Sequence, residues 1–284
     1  MDIIESCAEA FIIHRPSVQT APIVLASAHS GRCYRPDFIE SARLEGLALR
    51  RSEDSFVDEL FAAGPDLGVP LLCATFPRAF CDANREAWEL DPSMFEDALP
   101  AHVNAASPRV AAGLGTIARV VSSGEAIYRH KLRFAEAEWR IDQFWQPYHR
   151  ALADLISETR ARFGACLVLD CHSMPGHHGV APSIDIVLGD AHGTTCGRRV
   201  TNLVESTLRE DGFSVRRNEP YAGGYVTRHY GKPREGVHVL QLEIARPLYM
   251  NERLIEKSAC FARIQGAMSG LTAILAAHIQ ALLR

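Results

Sequence analysis

No apolar run in this chain approaches the roughly 18 residues that a membrane-crossing helix needs, so there is no candidate span. There is also no block of like charge. Thirty Lys and Arg stand against 34 Asp and Glu, a net charge of −4, which leaves no global electrostatic footprint for nucleic acid or an anionic membrane. The eight cysteines, at 7, 33, 73, 81, 166, 171, 196 and 260, are scattered without a CxxC pair. A chain of this size does not need disulfides, so they are read as mostly buried thiols, with Cys171 singled out because it precedes His172. No repeat, low-complexity tract or Ser/Gly linker marks a boundary, and residues 1–284 are read as one domain. No GxSxG elbow occurs, so Ser30 and Ser173 are better read as turn residues than as nucleophiles, with a Ser-His hydrolase as the alternative. The start, MDIIESCAEAFII, is acidic before it is apolar, the reverse of a secretory signal, and the expected location is the cytoplasm.

With 47% hydrophobic residues the chain can build a substantial core. Short β-branched runs alternate with helical stretches, the pattern of an α/β fold with a largely parallel central sheet flanked by helices. Strands are expected at about 22–28, 69–75, 165–172, 183–189, 213–218 and 237–245, and helices at about 38–64, 134–162, 194–210 and 252–283. The stretch from about 76 to 130 is irregular and rich in Pro, Gly, Asn and Arg, a length of loop that is usually functional or locally disordered. Within it, Gly113-Leu-Gly115-Thr-Ile-Ala118 matches a shortened dinucleotide fingerprint but follows no strand, so it carries no weight.

Ligands of open α/β sheets bind outside the carboxyl ends of the strands, so polar residues there matter most. Of 12 histidines, His14, His102, His130, His149, His238 and His278 have no distinctive context, and His177 and His178 lie in a Gly-rich turn. His29 in IVLASAHSG and His172 in CLVLDCHSMPG each end an apolar run and open a tight polar turn. Two matching His-Ser turns on central strands point to a shared metal site, although either histidine alone could be structural. A catalytic zinc takes three protein ligands, and His, His and a carboxylate is a standard set for amide hydrolysis. Arg32 three residues after His29 rules out an HxxE pair, so the carboxylate comes from elsewhere: Asp54 is the candidate, with Glu53 and Asp58 as rivals. Glu243, between Leu242 and Ile244, suits a general base; an outward-facing position on a half-exposed strand is the alternative. FPRAFCDANRE supplies Arg78, Asp82, Asn84 and Arg85, either an anion clamp or a structural Arg-Asp network. YAGGYVTRHYGKP, with Gly224, Arg228 and His229, suits close approach of backbone to a ligand, or else forms a tight β-turn.

Taken together, AHSG (28–31), the Asp54 segment, RAFCDANRE (78–86), WQPYHRAL (145–152), LDCHS (169–173), DIVLGDAHGTTC (185–196), GGYVTRHYG (223–231) and HVLQLEIARPLYMNE (238–252) resemble the N-formylglutamate amidohydrolase family. The resemblance implies a mixed, zinc carboxypeptidase-like (phosphorylase/hydrolase-like) fold and hydrolysis of N-formyl-L-glutamate to formate and glutamate in histidine breakdown. It implies one Zn2+, or another divalent ion, on His29, Asp54 and His172, with Glu243 as base; Arg228 is expected toward the oxyanion only as a cation in the rim segment. Arg78, Asn84 and Arg85, with Gly224 and His229, would bind a small N-acyl amino acid. The expected assembly is a monomer or small homo-oligomer, with no nucleic-acid or membrane partner. Ala28 and Ser55 stand where relatives often carry Pro and Trp, which leaves room for another acyl amino acid. A related amidase and a catalytically silent metal- or amino-acid-binding protein are the competing readings.

Overall fold

The computed structural model describes residues 9–176 and 184–283, so the expectations for His177, His178, Cys7 and the N-terminal octet lie outside the described residues. Seven strands, β1 (Phe11–His14), β2 (Ile23–Ser27), β3 (Leu71–Ala74), β4 (Cys166–Met174), β5 (Ile186–Gly189), β6 (Val215–Arg217) and β7 (Val237–Ala245), form one sheet in the order β1-β3-β2-β4-β7-β5-β6. The β2–β4, β4–β7 and β5–β6 pairs are parallel and β5–β7 is antiparallel, which makes the sheet mixed. The nine-residue strands β4 and β7 are buried at every position, which is why they read in sequence as near-continuous apolar runs rather than as alternation. Each fully buried Leu, Ile or Val on them contributes roughly 1.5–3 kcal/mol, enough to carry a few buried polar groups if those groups are paired.

Contacts are densest within two interleaved sets of segments. The first comprises the chain up to Ile12 with Ala28–Glu53 and Cys73–Ala151. Here the expected helix over 38–64 is replaced by α1 (Pro36–Ser41) and α2 (Leu47–Arg50), because Ala42 is extended and Gly46 takes φ +53°. The irregular stretch is organised by a buried cation. Arg140, 1% exposed, stacks 4.3 Å over Phe80 and 5.4 Å over both Phe38 and Tyr128. It donates to the Phe80 carbonyl (3.0 Å) and the Tyr128 hydroxyl (2.6 Å) and pairs with Glu136. Also here, α4 (Pro108–Ala111) is one turn long, and the Gly113 fingerprint falls in the turn after it, in no βαβ unit. Helix α5 (Phe134–Arg140) runs through a π turn (Ile141–Trp145) into α6 (Gln146–Phe163), close to the expected 134–162.

The second set comprises Ile13–Ser27, Asp54–Leu72 and the chain from Leu152 onward. It holds most of the sheet with α3 (Val57–Leu60), α7 (Arg198–Glu210), α8 (Tyr225–Tyr230) and α9 (Phe261–Leu282). Helix α9 starts later than expected because Met250–Asn251 and Glu256–Lys257 form a small ribbon, β8 and β9. His238 is a structural histidine whose Nδ1 accepts the Gly197 N–H at the start of α7 (2.9 Å). Asp190, after β5, ties Gly193, Thr201 and Asn218 together, which places the DAHGTTC motif in a structural turn. Cys73, Cys81, Cys166, Cys171 and Cys196 are buried thiols as expected, and burial pushes Cys166 and Cys196 up to about 12. Two cysteines depart from that expectation: Cys260 is exposed and Cys33 is disulfide-bonded.

Candidate active site

Parallel pairing sets Asp170 beside Gln241 and His172 beside Glu243. Side chains two apart on a strand share a face, and partners in register share it too, so these four form a polar square on the central strands. All are buried: Asp170 0%, His172 2%, Gln241 4% and Glu243 7% exposed. Cys171 alternates to the other face, where its thiol donates to the Leu169 carbonyl. Both His172 nitrogens meet carboxylates, Nε2 on Asp170 Oδ1 and Nδ1 on Asp54 Oδ2, each at 2.9 Å. Burial alone would lower the His172 pKa, but Asp170, Asp54 and the charge on Glu243 hold it well above 6.5. The surroundings thus call for positive charge at this ring.

Asp54, fully buried, precedes α3 in a turn whose Phe56 takes the left-handed φ of +68°. Its second oxygen, Oδ1, accepts Arg246 Nη2 at 3.0 Å, and Arg246 Nε donates to Ser173 Oγ at 3.1 Å. The Tyr249 hydroxyl donates to the Ser55 carbonyl at 3.1 Å and fixes the same turn. Of the rival carboxylates, Glu53 is occupied by the Tyr34 hydroxyl (2.6 Å) and by Arg50 Nε and Nη2 (2.9 and 3.0 Å). Asp58 lies on α3 and is not among the clustered donors.

His29, 2% exposed, follows β2 in a turn that only glycine can complete: a Cβ on Gly31 would lie 2.2 Å from the Phe76 carbonyl oxygen. His29 Nε2 meets Asp82 Oδ1 at 2.7 Å. Asp82 also accepts the Asn84 N–H (2.8 Å) and Arg78 Nη2 (2.8 Å), with Arg85 Nη2 at 3.8 Å. Burial raises the Asp82 pKa, but Arg78, Arg85 and His29 outweigh it and hold the carboxyl well below 3.8. The expected clamp is therefore built around an Arg-Asp network. Arg85 is pinned to the Leu114 and Asn84 carbonyls, and burial draws its pKa down to about 10, so it stays charged near neutrality. Arg78 is the more open of the two, with 22% of its side chain exposed against 8%. From the π turn and the start of α6, Trp145 Nε1 donates to the Arg85 carbonyl (3.0 Å) and His149 Nε2 lies 2.8 Å from the Ala83 carbonyl.

One ligand atom each from His29, Asp54 and His172 lie within 4.8 Å of one another. The donor set fits a divalent ion: two imidazoles and a carboxylate, all buried, each imidazole backed by another carboxylate, Asp82 or Asp170. Asp170 and Arg246 were not singled out from the sequence, and Asp82 was read only within the clamp. The signal for Asp170 is its spacing of two from His172 on a buried strand. Gly224 donates its N–H to Gln241 Oε1 (2.8 Å), and Gln241 Nε2 donates to Glu243 Oε1 (2.7 Å). Gly189, in register with Gln241, makes room for that loop, since a Cβ there would meet Gly223 N at 2.8 Å. Arg228 and His229 are exposed on α8: Arg228 Nε reaches the Gly223 carbonyl (3.3 Å), and His229 stacks on Tyr225 at 4.8 Å.

The family model described as N-formylglutamate amidohydrolase matches residues 21–250. A crystal structure of an N-formylglutamate amidohydrolase from Ralstonia eutropha JMP134 is 37% identical, with a TM-score of 0.90 over 96% of this chain and 99% of that one. An N-formylglutamate deformylase from Pseudomonas aeruginosa is 29% identical over 82% of this chain and 83% of its own length. The protein of the same name from Pseudomonas putida is 27% identical over 81% and 82%.

Proposed function

Because the chain belongs to the N-formylglutamate amidohydrolase family, we propose that it hydrolyses the formyl amide of N-formylglutamate to formate and glutamate. The observation that carries this reading is the convergence of His29, Asp54 and His172, with Glu243 paired in register to His172. Bound by these three residues, a divalent ion such as zinc supplies Lewis acidity toward the formyl carbonyl and toward the attacking water. With the Nε2 edge of each ring taken by a carboxylate, both histidines would offer Nδ1.

Glu243 takes a proton from the water as its oxygen adds to the formyl carbon, and returns it to the nitrogen as the C–N bond breaks. Arg228 is assigned to the developing oxyanion, as a cation on the short helix beside this base. Arg78, Asn84 and Arg85 bind substrate carboxylates, with partly exposed Arg78 making the direct contact and buried Arg85 fixing the geometry. Gly224 and His229 line the approach. Among the described residues no helix is long and apolar enough to cross a membrane. With the substrate come the rest of the reading: zinc as the resident ion, a role in histidine breakdown, and a cytoplasmic location. Glutamate release should be fastest from N-formylglutamate when N-acetyl-, N-succinyl- and formimino-glutamate are assayed beside it. Faster turnover of a non-formyl analogue would overturn the specificity.

A further inference from the structure

We propose that Gln241 is a positioning residue, whose side-chain amide holds the Glu243 carboxylate and the backbone that opens α8 in one fixed relation. The two hydrogen bonds decide the amide's orientation. Gly224 N–H can only donate, so it faces Oε1 at 2.8 Å; a Glu243 carboxylate can only accept, so it faces Nε2 at 2.7 Å. Thr227, fully buried on α8, adds its hydroxyl to the same Oε1 at 3.4 Å. No other side chain of this length offers a donor at one end and an acceptor at the other without titrating: an ionised glutamate lacks the donor, methionine has no donor and only a weak acceptor, and lysine and arginine lack the acceptor.

The alternation of β7 sets positions 241 and 243 on one face, and the Gly189 position admits the 221–224 backbone over that face. A strand side chain thereby joins the base to the loop and short helix that carry Arg228 and His229. With Gln241 4% exposed and Glu243 7% exposed, water is a poor substitute for either bond, and losing the donor leaves a buried carboxylate less well held.

This inference rests on Glu243 acting as the base, so the experiment tests the two separately in the full-length, metal-loaded protein. Gln241→Met should lower kcat about 10- to 100-fold while KM and metal content stay within about two-fold. Hydrogen exchange over residues 224–230 should speed up in the same variant. Gln241→Glu keeps the acceptor for Gly224 but sets a second carboxylate against Glu243. It should lose kcat to a similar extent while exchange over 224–230 stays at the wild-type rate; it also decides the matter if the methionine variant does not fold. In a Glu243→Gln background, Gln241→Met should cost less than about a further two-fold, because residues acting as a unit are non-additive. Wild-type kcat in either Gln241 variant, or a full additive loss in the double variant, overturns the positioning role. A Glu243→Gln protein with undiminished turnover overturns the base assignment itself; an inactive one beside a fully active Gln241→Met overturns only the role given to Gln241.

Discussion

A histidine offers a metal either ring nitrogen, and the partner on the other nitrogen decides which. At His172 that partner is Asp170, at His29 it is Asp82, and both carboxylates are buried. Asp170→Asn keeps the shape and an acceptor oxygen but removes the charge that orients and polarises the ring. Zinc affinity should fall about 10- to 100-fold, read from a competition titration with a chelator of known affinity. Unchanged affinity would mean that Asp170 is merely a satisfied core residue. Glu53→Gln provides the contrast: it disturbs the Tyr34 and Arg50 contacts rather than the clustered donors, so metal content should hold even if the melting temperature drops.

Among the elements, the turns that deliver side chains to the site carry the tightest constraint. Gly31→Ala forces a Cβ to within 2.2 Å of the Phe76 carbonyl, and backbone on both sides must give. It should cost about 1–3 kcal/mol in a urea titration and weaken metal binding through His29; wild-type stability would contradict the close approach. The strands were largely legible in sequence: β7 spans the expected 237–245, and β4 extends the expected 165–172 to Met174, because fully buried strands show as apolar runs. The helix over 38–64 was not, because Gly46 and Phe56 adopt left-handed φ values that hydrophobic periodicity does not register. His29 and His172 were legible because each ends such a run. Asp54 was only one of three acidic candidates, since what separates it from Glu53 is an ion pair to Arg246, 192 residues away. Arg140, which organises the irregular stretch, has no sequence signature at all: its cation–π partners are gathered by the fold from Phe38, Phe80 and Tyr128.

For the molecule as a whole, buried and paired carboxylates set the response to acid. Asp82 has a folded pKa well below 3.8, and Asp37, Asp91 and Glu205 are also lowered, burial being outweighed in each case by nearby arginines or hydrogen bonds. A depressed pKa stabilises the fold fully above the unfolded value and is lost as pH falls through the folded one. Urea midpoints should therefore decline steeply below about pH 4, and Asp82→Asn should start lower but decline less. An identical slope in that variant would show that Asp82 is not depressed. If His29, Asp54 and His172, whose ligand atoms cluster within 4.8 Å, hold one divalent ion as proposed, each of the three is needed for metal retention. The most direct test is the metal stoichiometry of the purified, extensively dialysed protein beside His29→Ala, Asp54→Ala and His172→Ala. The wild type should hold about one ion per chain and all three variants should lose it almost completely; full metal content in any one of them would remove that residue from the site.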